Sequence, residues 1–170
     1  MENFLNKIFL RSNNLDSLSR DIKDLTLKTP AKKIFEVINS FNTESEIRYV
    51  GGCIRKIICK EKIDDIDMAT NLEPDLICEA LKKANIAYYE TGKDHGTITA
   101  VLNELKFEIT SLRKDVLTDG RHAKVKFSKD WKEDAARRDF TINSIYSDSE
   151  GNLFDPYNGK NDLETGNIKF

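Results

Sequence analysis

The sequence has little from which to build a covalent or metal framework. Cys53, Cys59 and Cys78 are its only three cysteines, and no CxxC pair occurs. Neither a disulfide scaffold nor a structural zinc site fits that count, and free thiols point to a reducing, cytoplasmic setting. No apolar run approaches the roughly 18 residues of a membrane span, so no membrane role is expected. The opening MENFLNKIFLRSNN contains Glu2 and no convincing cleavage site, unlike a signal peptide. Nor is there an excess of one charge. Lys and Arg number 27 against 29 Asp and Glu, for a net charge of -2. That excludes the global basic character of many nucleic-acid binders and leaves a local patch open. Internal repeats and low-complexity linkers are also missing. What remains is a chain of 170 residues, 39% apolar and 33% charged, enough for one domain with its own core.

Residues 1–28 are polar and weakly patterned and read as an N-terminal arm, or a helix lying on the surface. The domain proper is expected over 29–170. TPAKKIFEVINSF predicts a helix, with Thr29 as cap, Pro30 in the first turn and Ile34, Val37, Ile38 and Phe41 at helical spacing. EIRYV, KIDDIDMAT and IAYYE predict strands, and PDLICEALKKAN predicts a helix that opens on Pro74. TITAVL and KFEITSL flank a tight connection and predict a hairpin. From Arg113 to Lys124 the charged stretch reads as a loop, followed by a short strand VKF. One or two helices are expected across KDWKEDAARRDFTINSIYSD, and a strand near the end of NLFDPYNGKNDLETGNIKF. Short helices and strands alternate around a hairpin, so the fold class is α/β (α+β) with a mixed sheet and flanking helices.

Three stretches carry chemistry. In IDDIDMAT, strand alternation puts Asp65 and Asp67 on one face and Asp64 on the other or ahead of the strand. Two carboxylates on one face suit a hard divalent cation such as Mg²⁺, whose remaining ligands are water and substrate phosphate. Alone, the pair is more ordinarily the acidic outer side of a solvated edge strand. In VGGCIRK, Gly51 and Gly52 lie between a strand and a helix, where backbone without Cβ can approach a ligand. Helix N–H groups favour phosphate there, and Arg55 sits in the first turn. A lone GG also makes an ordinary tight turn. Glu108 in KFEITSL can join the acidic pair if its strand neighbours theirs, and otherwise forms the polar face of a hairpin. Three acids holding two metals would activate a hydroxyl and stabilise a leaving pyrophosphate. RRDFTINS places Asp139 between arginines and an apolar run, with Asn143 following, and reads as a buried polar hub. Arg137 or Arg138 could hold a triphosphate there, or the stretch is a helix cap with ion pairs. His122 in TDGRHA is a possible base or phosphate contact.

VGGCIRK, DIDMAT, HGTITAVLNELKFEITSLR, TDGRHA and DAARRDFTINSIY…DPYNGKNDL occur in this order. Together they resemble the catalytic head of class II tRNA nucleotidyltransferases, the CCA-adding enzymes, and of the related bacterial poly(A) polymerases. Both belong to the polymerase β-like nucleotidyltransferase superfamily. The resemblance covers roughly residues 47–170. It implies that Asp65 and Asp67 are Mg²⁺ ligands and that Glu108 assists them. It implies that Gly51, Gly52, Arg55, Arg138, Asp139 and Asn143 form the pocket for ATP or CTP, with Arg113 a further candidate. The reaction implied is attack of a tRNA 3′ end on the nucleotide α-phosphate, with CCA addition preferred over poly(A) synthesis. A non-catalytic nucleotide- or RNA-binding module is the reading from another class, and retention of both Asp65 and Asp67 argues against it. The family has Asp after the arginine of its GG motif, where this chain has Lys56. The family's base-selecting neck and its tRNA-holding body and tail are expected to follow residue 170. Residues 1–170 alone are therefore expected to add CCA weakly or not at all.

Overall fold

The computed structural model describes residues 17–118 and 122–169. Residues 17–28 are helical (α1). They are followed by α2 (Ala31–Asn39), β1 (Ile47–Val50), α3 (Gly52–Ile58), β2 (Ile66–Thr70), α4 (Pro74–Lys83) and β3 (Ala87–Tyr89). A hairpin follows, β4 (Thr97–Leu102) and β5 (Leu105–Ser111), then β6 (Arg113–Thr118) and β7 (His122–Phe127). The chain finishes with α5 (Trp131–Ala136), β8 (Tyr146–Ser147), β9 (Leu153–Phe154) and α6 (Gly159–Thr165).

Seven strands form one sheet in the order β3-β4-β5-β2-β1-β8-β9. It is mixed: β2 and β5 run parallel, while the other neighbours are antiparallel. Alternation along the strands sorts its two faces. Ile47 and Tyr49, Ile66 and Met68, Ile98 and Ala100, and Phe107 and Ile109 all point to one side. There they meet Leu18 and Ile22 of α1, Ile34, Phe35 and Ile38 of α2, Cys53, Ile54 and Ile57 of α3, and Ile77 and Leu81 of α4. Most of these side chains are fully buried, and each is worth roughly 1.5–3 kcal/mol against exposure. The opposite face is mostly open. A smaller cluster of Val50, Ala69, Leu112, Ala135 and Tyr146 seats α5 on part of it.

Residues 17–28, part of the expected polar arm, thus contribute to the main core. Thr26 Oγ1 lies 2.8 Å from the Tyr49 hydroxyl, and Ser19 Oγ donates to the Gly151 carbonyl at 2.9 Å. Residues 1–16 lie outside the described ones.

Elsewhere the expected elements are present with four corrections. The charged stretch from Arg113 is a two-stranded antiparallel ribbon, β6–β7, and not a loop. Its signals were Val116 and Leu117 among charges and the Asp119–Gly120 dipeptide, a strong hairpin signature. The helical reading across residues 129–148 holds only for α5 and a single 3₁₀ turn, Thr141–Asn143. Tyr146 and Ser147 pair with β1 instead. No strand ends the chain among the described residues: GKNDLET is a helix, and 167–169 run irregularly after it. The fourth correction touches the acidic motif. β2 begins at Ile66, so Asp65 stands at a bend just before the strand rather than within it.

Candidate active site

The open face is where the sequence motifs converge. Because β2 and β5 are parallel neighbours, Asp67 lies directly opposite Glu108. Both side chains point to the open face, and their carboxyls are close enough to hydrogen-bond. Burial, followed by the Glu108 charge, that shared bond and the Asp65 charge, pushes the Asp67 carboxyl up to about 6, with Lys56 opposing. Asp65, exposed at the entry to β2, is near enough to add repulsion. Asp64, also exposed, pairs with Lys62 at 4.0 Å and stands apart. No three His, Cys, Asp or Glu side chains among the described residues are already gathered as a metal cage. The acids are a pair with a third at its edge.

The GG turn closes one side of this pair. Gly51 has φ 63° and ψ -120°, a region open to glycine and closed to other residues. Its N–H donates to the Ile145 carbonyl at 3.2 Å. A Cβ at Gly52 would stand 3.3 Å from Asp67 Oδ2, so the glycine lets the turn come down onto the acid pair. Around Gly51 such an atom would have room, its nearest neighbours being the Asn143 carbonyl at 3.6 Å and Arg138 Nη1 at 3.8 Å. The cost of Gly51→Ala is therefore backbone strain and not collision. It is expected to lower stability by about 1–3 kcal/mol, read as a shift in the urea midpoint with unchanged slope.

Beyond the acids is a cavity of about 660 Å³ bordered by Gly51, Gly52, Asp67 and four guanidiniums, Arg55, Arg113, Arg137 and Arg138. Arg55 has no partner among the described residues. Arg113 Nη1 donates to the His95 carbonyl at 2.6 Å, while its Nε is buried with no hydrogen-bond partner there. Burial and then the charge of Arg137 hold the Arg113 guanidinium below its ordinary value. Cations crowded in this way are suited to an anion of several charges.

Asp134 holds the crowd in place, and the sequence reading passed it over. This carboxylate is 1% exposed. Oδ1 accepts from Arg137 Nε at 3.0 Å and from the Arg113 backbone N–H at 3.2 Å. Oδ2 accepts from the Tyr146 hydroxyl at 2.6 Å and from Arg138 Nε and Nη2 at 3.3 and 3.1 Å. Burial pushes Asp134 upward, but the two guanidiniums and the Tyr146 hydroxyl outweigh it and hold the carboxyl below its ordinary range. Asp139, expected as the buried hub, is exposed and sits on the cavity wall with Asn143. The hub lies one turn earlier, and a signal existed: Asp134, Arg137 and Arg138 stand at i, i+3 and i+4, neighbours on one helical face. Thr97 and Thr110 also border the cavity, their hydroxyls 2.9 Å apart, and were not anticipated. The side chain of His122 lies outside the described ones.

The RRDFTIN turn is braced from behind by α6. Thr141 Oγ1 donates to Asp162 Oδ2 at 2.7 Å. A Cβ on Gly159 would fall 2.0 Å from the Thr141 carbonyl oxygen, so only glycine lets α6 pack there. Cys53, near Asp67, is buried, and that burial and then the Asp67 charge push its thiol up to about 12, away from the thiolate form.

Comparison with known proteins fits this arrangement. The family model of the poly A polymerase head domain matches residues 47–169, which include the acids, the GG turn and all four guanidiniums. The chain belongs to that family. A human relative named CCA tRNA nucleotidyltransferase 1, mitochondrial, is 48% identical over 126 residues, 74% of this chain and 29% of its own length. A CCA-adding enzyme of Staphylococcus aureus is 36% identical over 148 residues, 86% of this chain and 36% of its own. The crystal structure of Bacillus stearothermophilus CCA-adding enzyme in complex with CTP is similar at TM-score 0.67 and 27% identity. It covers 82% of this chain and 33% of that one. The chain thus spans about a third of the length of these relatives.

Proposed function

We propose that this chain is the catalytic head of a template-independent RNA nucleotidyltransferase. It would add CMP and AMP, from CTP and ATP, to the 3′ end of tRNA to complete CCA. The observation that carries this reading is a carboxylate pair, Asp67 and Glu108, at the mouth of a cavity lined by four guanidiniums. Such a site offers a metal grip and a triphosphate grip side by side. Relatives from human and Staphylococcus aureus named as CCA enzymes support the choice of reaction.

In this mechanism Arg55, Arg113, Arg137 and Arg138 take the triphosphate, and Gly51 and Gly52 let backbone approach it. Asp139 and Asn143 form the wall on which the rest of the nucleotide is oriented. Asp65, Asp67 and Glu108 would hold Mg²⁺, since Asp67 and Glu108 face each other with Asp65 beside them and a hard divalent cation takes carboxylate oxygens. When bound, Mg²⁺ supplies charge neutralisation at the α-phosphate and activates the attacking 3′-hydroxyl. The protein's own contribution is positioning: the acids hold the reacting end and the guanidiniums draw the pyrophosphate end the other way. No helix among the described residues is long and apolar enough to cross a membrane. The compartment we propose is the cytoplasm, on the free thiols, although the human relative is named mitochondrial. Imaging of the tagged protein decides between the two.

The test is incorporation of labelled CTP and ATP into tRNA lacking its CCA end, with Mg²⁺, by the protein in its full natural length. Ordered addition of two CMP and one AMP is the expected product. A product of AMP alone, found by sequencing, would assign the protein to the poly(A) polymerases, whose head the family model names. No incorporation of either nucleotide would overturn the reading.

A further inference from the structure

The open face continues past the acid pair toward β3, and nothing so far uses that half. Among the described residues β3 is an edge strand, paired with β4 alone. Tyr88 packs against the core on the covered face, so alternation turns Tyr89 to the open one. There Tyr89 is 58% exposed, and its side chain meets no partner among the described residues.

Strand register then puts it in line with the acids. Tyr89 lies opposite Thr99, Thr99 opposite Glu108, and Glu108 opposite Asp67. With strands about 4.8 Å apart, three spacings put Tyr89 about 14 Å from Asp67 along this row. Among the described residues nothing covers the row, with Thr99 half-buried and Glu108 exposed. Lys106, two residues before Glu108 and so on the same face, is exposed and has no ion pair among the described residues.

A single exposed aromatic is an ordinary surface feature. The direction of the reaction gives this one meaning. The cavity with its guanidiniums lies over Thr97 and Thr110, the end of β4–β5 away from Lys106. Phosphoryl transfer runs roughly in line, so the attacking hydroxyl enters opposite the departing pyrophosphate. The strand that bears the hydroxyl must then reach the acids from a side the cavity leaves free: Lys106 lies beyond the acids from the cavity, and Tyr89 lies level with them, three strands across the sheet. A single-stranded RNA end needs an aromatic face for a base and a cation for its backbone, and both are present there.

We infer that the open face of β3–β5 is the track for the single-stranded 3′ end of the RNA, with Tyr89 as the stacking platform for a base near that end and Lys106 beside its backbone. This rests on the nucleotidyltransferase reading and assigns the RNA a path that the nucleotide cavity does not define. Tyr89 acts through the RNA and touches no reacting atom.

The experiment compares wild type, Tyr89→Ala and Tyr89→Phe in the full-length protein, on tRNA lacking CCA. Tyr89→Ala is expected to raise the KM for tRNA about tenfold, the loss of one stacked base. Its KM for CTP and its kcat at saturating tRNA stay within about twofold, and Tyr89→Phe behaves as wild type. With 2-aminopurine placed at each of the last few nucleotides in turn, fluorescence at one position is quenched on binding wild type and Tyr89→Phe. It is not quenched on binding Tyr89→Ala. An unchanged KM for tRNA and unchanged quenching in Tyr89→Ala overturn the track. If wild type itself does not extend tRNA, the nucleotidyltransferase reading fails and takes the track with it. If wild type extends tRNA and Tyr89→Ala matches it, the track alone fails.

Discussion

Replacing Asp67 by alanine is expected to abolish nucleotide incorporation and leave the protein folded. Asp67 is the one acid that touches every part of the site. It lies opposite Glu108, receives the charge of Asp65, stands under Gly52 and borders the cavity. Without it Glu108 and Asp65 lack the member between them, and a hard cation loses its central oxygen ligands. A loss of at least about 10³-fold in kcat is expected, or some 4 kcal/mol in barrier. Stability should move the other way or not at all. The Asp67 carboxyl is pushed up to about 6 chiefly by burial and by its acidic neighbours, so the ionised pair is held at a cost the fold does not need. A melting temperature equal to or above that of wild type, together with lost incorporation of labelled CTP, is the expected pair of results. Asp65→Ala should fall in the same direction. Near-wild-type rates in both variants would show that the metal grip lies elsewhere.

The second large effect is on stability. Asp134→Ala leaves the Arg137 guanidinium, a buried phenol and a backbone N–H facing no acceptor, and leaves Arg138 only the Tyr146 hydroxyl at 3.1 Å. Removal of one partner from a buried ionic cluster costs about 3–5 kcal/mol, a large share of the roughly 5–15 kcal/mol that holds an ordinary domain together. Denaturant unfolding measures it. Arg137 and Arg138 also lose their anchor, so the KM for the nucleotide should rise in any variant that still folds. Asp134→Asn is the milder form: it keeps acceptor capacity and loses the charge. The same residue sets an acid limit. Its folded carboxyl titrates below the unfolded value of about 3.9, so its contribution is complete above that pH. The contribution drains away as pH falls below about 4 toward the folded pKa. The stability of wild type should therefore decline more steeply than that of Asp134→Asn across this window. Parallel acid profiles would mean that Asp134 is not the group concerned.

How much of this was legible beforehand varied with the kind of information. Amphipathic spacing alone announced α2, through Ile34 and Ile38, and Pro74 announced α4. The hairpin of β4 and β5 was visible in its alternation, and its turn is made by Asn103 and Glu104, both at positive φ, as a two-residue hairpin turn requires. β8 was not legible, because two residues carry no period, and Tyr146 and Ser147 extend only because β1 offers them an edge. Asp139 was misjudged for a related reason. Its neighbours in sequence are arginines, but the burial that makes a hub comes from α5 sitting on Val50, Leu112 and Tyr146, and that favours Asp134.

The sequence by itself determined the parts: a mixed α/β domain, the aspartates of IDDIDMAT, a close-approach turn at Gly51–Gly52 and a supply of arginines after residue 112. These are local facts, set by side-chain type, alternation and the conformational reach of glycine. Only the tertiary structure decided the partners. The parallel pairing of β2 with β5 makes Glu108, not Asp64, the acid that faces Asp67. The packing of α5 makes Asp134 the anchor for guanidiniums on two elements, and the register across β3, β4 and β5 lines up Tyr89 with the acids. Such pairings join residues dozens of positions apart. They follow from which faces bury together, a property of the whole sheet and of no single segment.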